Sequence, residues 1–149
     1  MQLPNYSACC LAISDSDESL FLNSAIDYTA ISTNEKGYIE VHTIAWDEFL
    51  TKYNIQEIDL LQINIEGAER FLLPMIGNYS NIRRIIISAH DFRANRGDGE
   101  QFRTRDFVID FLKEAGYAIS HCGNKPRQMD WLFAERTDYA ERPVPTTVP

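Results

Sequence analysis

The chain has 149 residues, 44% of them apolar and 24% charged, with a formal charge of −8 and a pI of about 4.8. That length and composition suit one compact domain with a real core. The acidic balance argues against nucleic acid or an anionic membrane as partner, because both are held by clustered Lys and Arg.

Along the chain, residues 7–14 form a short apolar run that reads as a buried strand, and residues 15–19 as a turn. Residues 19–23 continue as a second short strand. Residues 38–43 alternate Tyr38, Glu40 and His42 against Ile39, Val41 and Thr43, which predicts a half-exposed strand. Thr43 is placed to cap a helix carrying Trp46, Phe49, Leu50 and Tyr53 at helical spacing, with Asn54 at its end. Residues 58–65 are nearly continuous in apolar side chains and predict a strand covered on both faces. Glu66-Gly67 breaks that run. A helix over 68–76 follows, and Pro74 should kink it or end it early.

Residues 84–89 predict a second buried strand, and residues 90–103 a polar loop. Thr104 then caps a helix whose inner face is Phe107, Val108, Phe111, Leu112 and Ala115, closed by Gly116. Two last strands are expected over 117–121 and 131–135, joined by a loop over 123–130. Residues 141–149, rich in Pro and Thr, read as a disordered tail, leaving 1–140 as the domain. Cys9, Cys10 and Cys122 show neither a paired framework nor zinc spacing, and are expected to be reduced and mostly buried. With no basic-then-apolar leader and no run near the roughly 20 residues of a membrane helix, a cytoplasmic location and no membrane partner are expected.

The alternation of strands and helices is that of a doubly wound α/β layer, whose ligands bind at the carboxyl ends of the strands. Two such ends carry polar clusters: Asn64 and Glu66, then His90 and Asp91. Glu66 is a candidate base or substrate anchor, and equally a carboxylate that complements a helix N-terminus. His90 can take a proton near neutral pH, with Asp91 orienting it or binding substrate; the alternative is a loop histidine bonded to backbone. The four together also have the residue types of a divalent-metal site, although no spacing demands one. Arg93, Arg96, Arg103 and Arg105 concentrate positive charge near the second strand end, either to attract an anion or as local ion pairs. Gly97-Asp98-Gly99 reads as a flexible turn, Arg96-Gly97-Asp98 as a chance match to an adhesion tripeptide, and Trp46 and Trp131 as packing residues.

Residues 43–69 read TIAWDEFLTKYNIQEIDLLQINIEGAE. This stretch resembles the FkbM methyltransferases: a Thr-led helix, a spacer, then an Ile-Asp-Leu-Leu strand running into a Glu-Gly-Ala-Glu turn. The upstream ACCLAISDSDESLFLN is similar to that family's third strand and the hairpin after it, and the likeness extends over roughly residues 8–135. The resemblance implies a Rossmann-like methyltransferase fold of strand order 3-2-1-4-5-7-6 with strand 7 reversed. It implies methyl transfer from S-adenosylmethionine to a hydroxyl of a small metabolite or sugar. It places Glu66, His90 and Asp91 at the reaction centre and Ser14, Asp15 and Asn64 at the cofactor, with no resident metal.

Two departures accompany it. The family has lysine and aspartate where this chain has Gln62 and Asn64, and Asn64 hydrogen-bonds but cannot act as a base. The family's first two strands and its glycine-rich turn have no counterpart ahead of residue 8. The expectation is therefore a fold truncated at its N-terminus with strands 3 to 7 retained, weak cofactor binding by this chain alone, and self-association through an exposed sheet edge. A non-catalytic domain that binds a metabolite or protein in the same crevice is the second hypothesis. A hydrolase using Glu66 and His90 is the third.

Overall fold

The structure is a computed structural model that describes residues 7–15, 19–22, 31–32 and 39–138. The tail expected over 141–149 lies outside the described residues, as does Tyr38. The chain groups into two compact units, one of residues 1–56 with 70–78 and one of residues 57–69 with 79–149.

The first unit holds β1 (Ala12–Ile13), β2 (Leu20–Leu22), β3 (Ile31–Ser32), β4 (Ile39–Val41), β5 (Thr43–Ile44) and the helix α1 (Trp46–Lys52). β1 pairs in parallel with β5, and β2 pairs antiparallel with both β3 and β4 in a separate three-stranded sheet. The strand expected over residues 7–14 is thus reduced to Ala12–Ile13. Cys9 and Cys10 precede it and are exposed, as is Cys122, which corrects the expectation of buried thiols. Thr43 does not cap the helix; this β-branched residue pairs with Ala12, and α1 begins after an extended Ala45. Asp47 and Glu48 in the first turn and Lys52 in the last complement the helix dipole. Asn54, at φ 52°, closes the segment in the left-handed conformation that Asn tolerates.

The second unit is a four-stranded mixed sheet of β6 (Leu61–Ile63), β7 (Arg84–Ser88), β8 (Tyr117–His121) and β9 (Trp131–Arg136). Their order is β6-β7-β9-β8, with β6 parallel to β7 and β9 antiparallel to both its neighbours. A mixed sheet of this kind, with helices between its strands, is consistent with the α/β class expected from the sequence. Among the described residues β6 has a strand partner on one side only. The helix α2 (Glu69–Met75) starts in this unit and ends one residue after Pro74, as proline's missing N–H requires. Further on come α3 (Asp91–Arg96), α4 (Arg105–Glu114) and α5 (Pro126–Met129).

Ile63, Ile85, Ile87, Leu132 and Ala134 are almost wholly buried, and Val108 and Leu112 of α4 complete that core. The strand over 58–65 is shorter than expected and is not covered on both faces. Gln62 is exposed, Leu60 is 51% exposed, and Phe133 on β9 is 38% exposed. Alternation within β6 and β9 therefore buries one face deeply and leaves the other partly open. The polar stretch 90–103 is α3 followed by a 3-10 turn at Glu100–Phe102 rather than a loop. Gly97 ends α3 with φ 96°, a conformation that L side chains rarely adopt. Among the described residues, no helix is long and apolar enough to cross a membrane.

Parallel β6 and β7 end at the same edge of the sheet. Because β9 runs the other way, its first residue, Trp131, lies opposite Ser88 at that edge. Three chain segments, after β6, after β7 and before β9, therefore converge there.

Candidate active site

The chain leaves β6 through a turn in which Glu66 (φ 53°) and Gly67 (φ 102°) are both left-handed. Glycine is required at 67 for a second reason: a Cβ there would lie 2.8 Å from Cδ1 of Phe102. The turn brings Glu69, the first residue of α2, back beneath it, where the Gly67 N–H donates to Glu69 Oε1 at 3.2 Å. Glu69 is fully buried.

His90 follows β7 and is 1% exposed. Its Nδ1 lies 2.9 Å from Glu69 Oε1 and its Nε2 lies 3.3 Å from Glu66 Oε1. The far oxygen of Glu66 accepts from Arg93 Nη1 at 3.2 Å, and Arg93 Nε donates to Asp98 at 2.9 Å. The Arg93 guanidinium lies over the Phe102 ring, 3.8 Å from its centroid. A single chain of alternating charge thus runs Glu69, His90, Glu66, Arg93, Asp98. With the Nδ1 proton bonded to Glu69, Nε2 is the nitrogen presented on the Glu66 side.

Burial alone pulls the His90 pKa down, but the hydrogen bond and charge of Glu69, joined by Glu66, outweigh it and hold the imidazole above its ordinary value. Burial likewise pushes Glu69 up, and the bonds from His90 and the Gly67 N–H overcome it, leaving that carboxyl below the usual range.

A cavity of about 300 Å³ opens at this edge, lined by Asn64, Glu66, Ser88, His90, Phe92, Arg127, Asp130 and Trp131. Three of the expected site residues, Asn64, Glu66 and His90, are brought together. Asp91 does not line the cavity. Its Oδ1 accepts the backbone N–H groups of Thr104 and Arg105, both at 2.9 Å, so it caps α4 in place of the Thr104 hydroxyl. Ser14 and Asp15 belong to the other unit, and no part in this cavity is assigned to them.

The arginines stand in local ion pairs: Arg93 with Glu66 and Asp98, Arg96 with Asp98, Arg103 with Glu100, and Arg105 near Asp91 and Asp130. Trp46 is buried, as a packing residue should be, whereas Trp131 lines the cavity. Among the described residues, no group of three or more His, Cys, Asp or Glu side chains is arranged to hold a metal ion.

Two buried acids of the site, Glu69 and Asp130, are not among the candidates that the sequence offers. Glu69 is the second glutamate of the Glu-Gly-Ala-Glu turn, so its signal was present in the motif. Asp130 ends a loop and had no such signal. Its backbone carbonyl accepts from the Ala89 N–H at 2.8 Å and its Oδ2 accepts from the Phe92 N–H at 3.0 Å. Burial raises its pKa; the Phe92 N–H opposes this and the nearby Asp91 charge reinforces it.

An acid-held histidine at the carboxyl edge of a mixed α/β sheet, beside a small cavity, is an arrangement suited to moving a proton on a bound small molecule. The sequence profile of the methyltransferase FkbM domain matches residues 2–119, most of the chain, and the chain belongs to that family. No curated protein and no solved structure gives a significant match.

Proposed function

We propose that the chain is an S-adenosylmethionine-dependent O-methyltransferase with a Rossmann-like sheet, acting on a hydroxyl of a small metabolite or sugar. In this reading His90 is the general base and Glu69 orients it. The observation that carries the reading is the Glu69–His90–Glu66 chain, 2.9 and 3.3 Å long in its two links, beside the cavity. Family membership supplies the reaction type.

S-adenosylmethionine, when bound, supplies an electrophilic methyl group on a positively charged sulfur. Two lining residues fit that end of the molecule: Glu66 offers a carboxylate and Asn64 an amide dipole to a cation. The chain's own work is to hold the acceptor hydroxyl and remove its proton. Glu69 fixes the His90 tautomer, leaving Nε2 to receive that proton, and Glu66 stabilises the imidazolium that results. Arg93 keeps Glu66 in place from its other oxygen.

The reading is tested by methyl transfer from isotope-labelled S-adenosylmethionine to a panel of hydroxylated acceptors, over a wide range of donor concentration. His90→Ala is expected to lower turnover roughly 10²- to 10⁴-fold, the usual contribution of a general base. The wild-type rate should climb with pH through a His90 pKa above its ordinary 6.5, because only the neutral ring accepts a proton. Equal turnover by the wild type and His90→Ala would remove His90 from the chemistry.

A further inference from the structure

Acidic side chains outnumber Lys and Arg by 22 to 14, so carboxylates are in excess as partners for the guanidinium groups. Arg84, Arg93, Arg96, Arg103, Arg105 and Arg136 each have one within 4.0 Å. Arg127 differs: among the described residues no carboxylate pairs with it. Arg127 stands on α5 and lines the same cavity as His90, yet it lies outside the span 2–119 that the family profile matches.

Its charged end stays at the cavity wall. The guanidinium carbon is 5.0 Å from the centre of the Phe92 ring, and Phe92 lines the cavity too. Arg127 is exposed, which sets it at the mouth. The centre of the same Phe92 ring is 6.0 Å from that of the His90 ring, so one small molecule seated against Phe92 can reach both groups. The two carboxylates of the lining are answered from outside it: Glu66 by Arg93 at 3.2 Å and Asp130 by Arg105 at 3.6 Å. The charge of Arg127 is left for a partner that arrives in the cavity.

We propose that the acceptor is an anion: a small hydroxylated molecule whose carboxylate or phosphate is bound by Arg127 while its hydroxyl meets His90. The inference rests on the reading of His90 given above and names the substrate class of that site. Arg127 binds and selects; it takes no proton. The planar guanidinium presents paired N–H donors that match the oxygens of a carboxylate or phosphate, and such charge-assisted bonds are stronger than neutral ones. In a chain of charge −8, a positive group at the mouth also gives an approaching anion a point of entry.

The test uses the 149-residue chain labelled with fluorotryptophan, whose two tryptophan signals are assigned with Trp131→Phe. Lactate is titrated against lactamide, and glycerol 3-phosphate against glycerol, following the Trp131 resonance. At least one anion is expected to bind roughly 10-fold more tightly than its neutral partner, the gain from hydrogen bonds to a charged group. The pair with the larger ratio tells carboxylate from phosphate. Arg127→Gln should bring the anion down to the level of its neutral partner and leave the neutral molecule unchanged. Arg127→Lys, which keeps the charge and loses the fork, should retain part of the preference.

Added salt gives a second measurement on the wild type alone, and should weaken the anion and spare the neutral molecule. Anions that bind no better than their neutral partners, or that bind Arg127→Gln as tightly as the wild type, overturn the inference. So does an Arg127→Gln variant whose KM rises for S-adenosylmethionine and not for the acceptor, because Arg127 would then hold the carboxylate of the donor. Methyl transfer in the same samples separates the two claims. Arg127-dependent anion binding without His90-dependent transfer sinks the catalytic reading alone, while His90-dependent transfer with the acceptor's KM unchanged in Arg127→Gln sinks this one alone.

Discussion

Glu69 bonds the His90 ring and Asp130 bonds the backbone N–H groups of Ala89 and Phe92, and the two acids differ in how they are held. Both are carboxylates with almost no exposure, and each has one oxygen that accepts no hydrogen bond. Yet the Glu69 carboxyl is held below the usual range and the Asp130 carboxyl above it. Burial pushes both upward, so burial does not decide the outcome; the partner does. Glu69 faces an imidazole at 2.9 Å and a backbone N–H, whereas Asp130 has one backbone N–H, a guanidinium at 3.6 Å and the opposing charge of Asp91. Glu69 is locked into the fold as an anion, whereas Asp130 is held by one backbone donor and a more distant guanidinium.

The widest separation should appear on removing the locked acid. Glu69→Ala leaves Nδ1 of a buried imidazole with no acceptor, and breaking such a buried pair typically costs about 3–5 kcal/mol. Urea denaturation followed by circular dichroism measures it. A loss below about 1 kcal/mol would mean that Glu69 orients nothing.

Smaller, and diagnostic in sign, is the pH dependence of stability. His90 is raised when folded, so its contribution is full below its unfolded value of 6.5 and fades as pH climbs through the folded pKa. Glu69 is lowered when folded, so its contribution is full above its unfolded value of 4.5 and fades as pH falls through the folded pKa. The pair therefore stabilises most between about pH 4.5 and 6.5. Melting temperature in the wild type should exceed that of Glu69→Gln by the greatest margin in that window, and a margin that grows steadily toward pH 9 would contradict the pairing.

The least change is expected at Asp130. A carboxyl raised by burial destabilises the fold once ionised, so Asp130→Asn should shift unfolding free energy by under about 1 kcal/mol, toward greater stability. A loss of several kcal/mol in the same urea experiment would put Asp130 in the class of Glu69 and end the comparison.

The parts of this site that could be read from sequence are those set by local pattern. Residues 84–89 carry three successive isoleucines, the pattern of a covered strand, and that pattern alone puts His90 at a strand end. Glu66 was legible for the same reason, because Glu-Gly stops the apolar run of β6. What escaped was set by tertiary pairing. Thr104 looks like a cap, but Asp91, thirteen residues earlier, takes the α4 N–H groups instead, and no periodicity announces that. The six-residue helix α3 has almost no apolar stripe, so its sequence looks like a polar loop. Asp130 reaches the cavity only because β9 runs backwards, a property of the whole sheet rather than of residues 123–130.

That reversal has a mechanical meaning. β9 is held to β7 by five consecutive pairings, from Arg84 with Glu135 to Ser88 with Trp131. A slip of one residue would swing Ala134 out of the core and Phe133 into it, and would carry Asp130 about 3.4 Å along the sheet. The fit of Leu132 and Ala134 among Ile85 and Ile87 is therefore a ruler. It sets the position of a carboxylate that belongs to no strand, so the same packing that fixes the register of β9 fixes where Asp130 stands at the sheet edge.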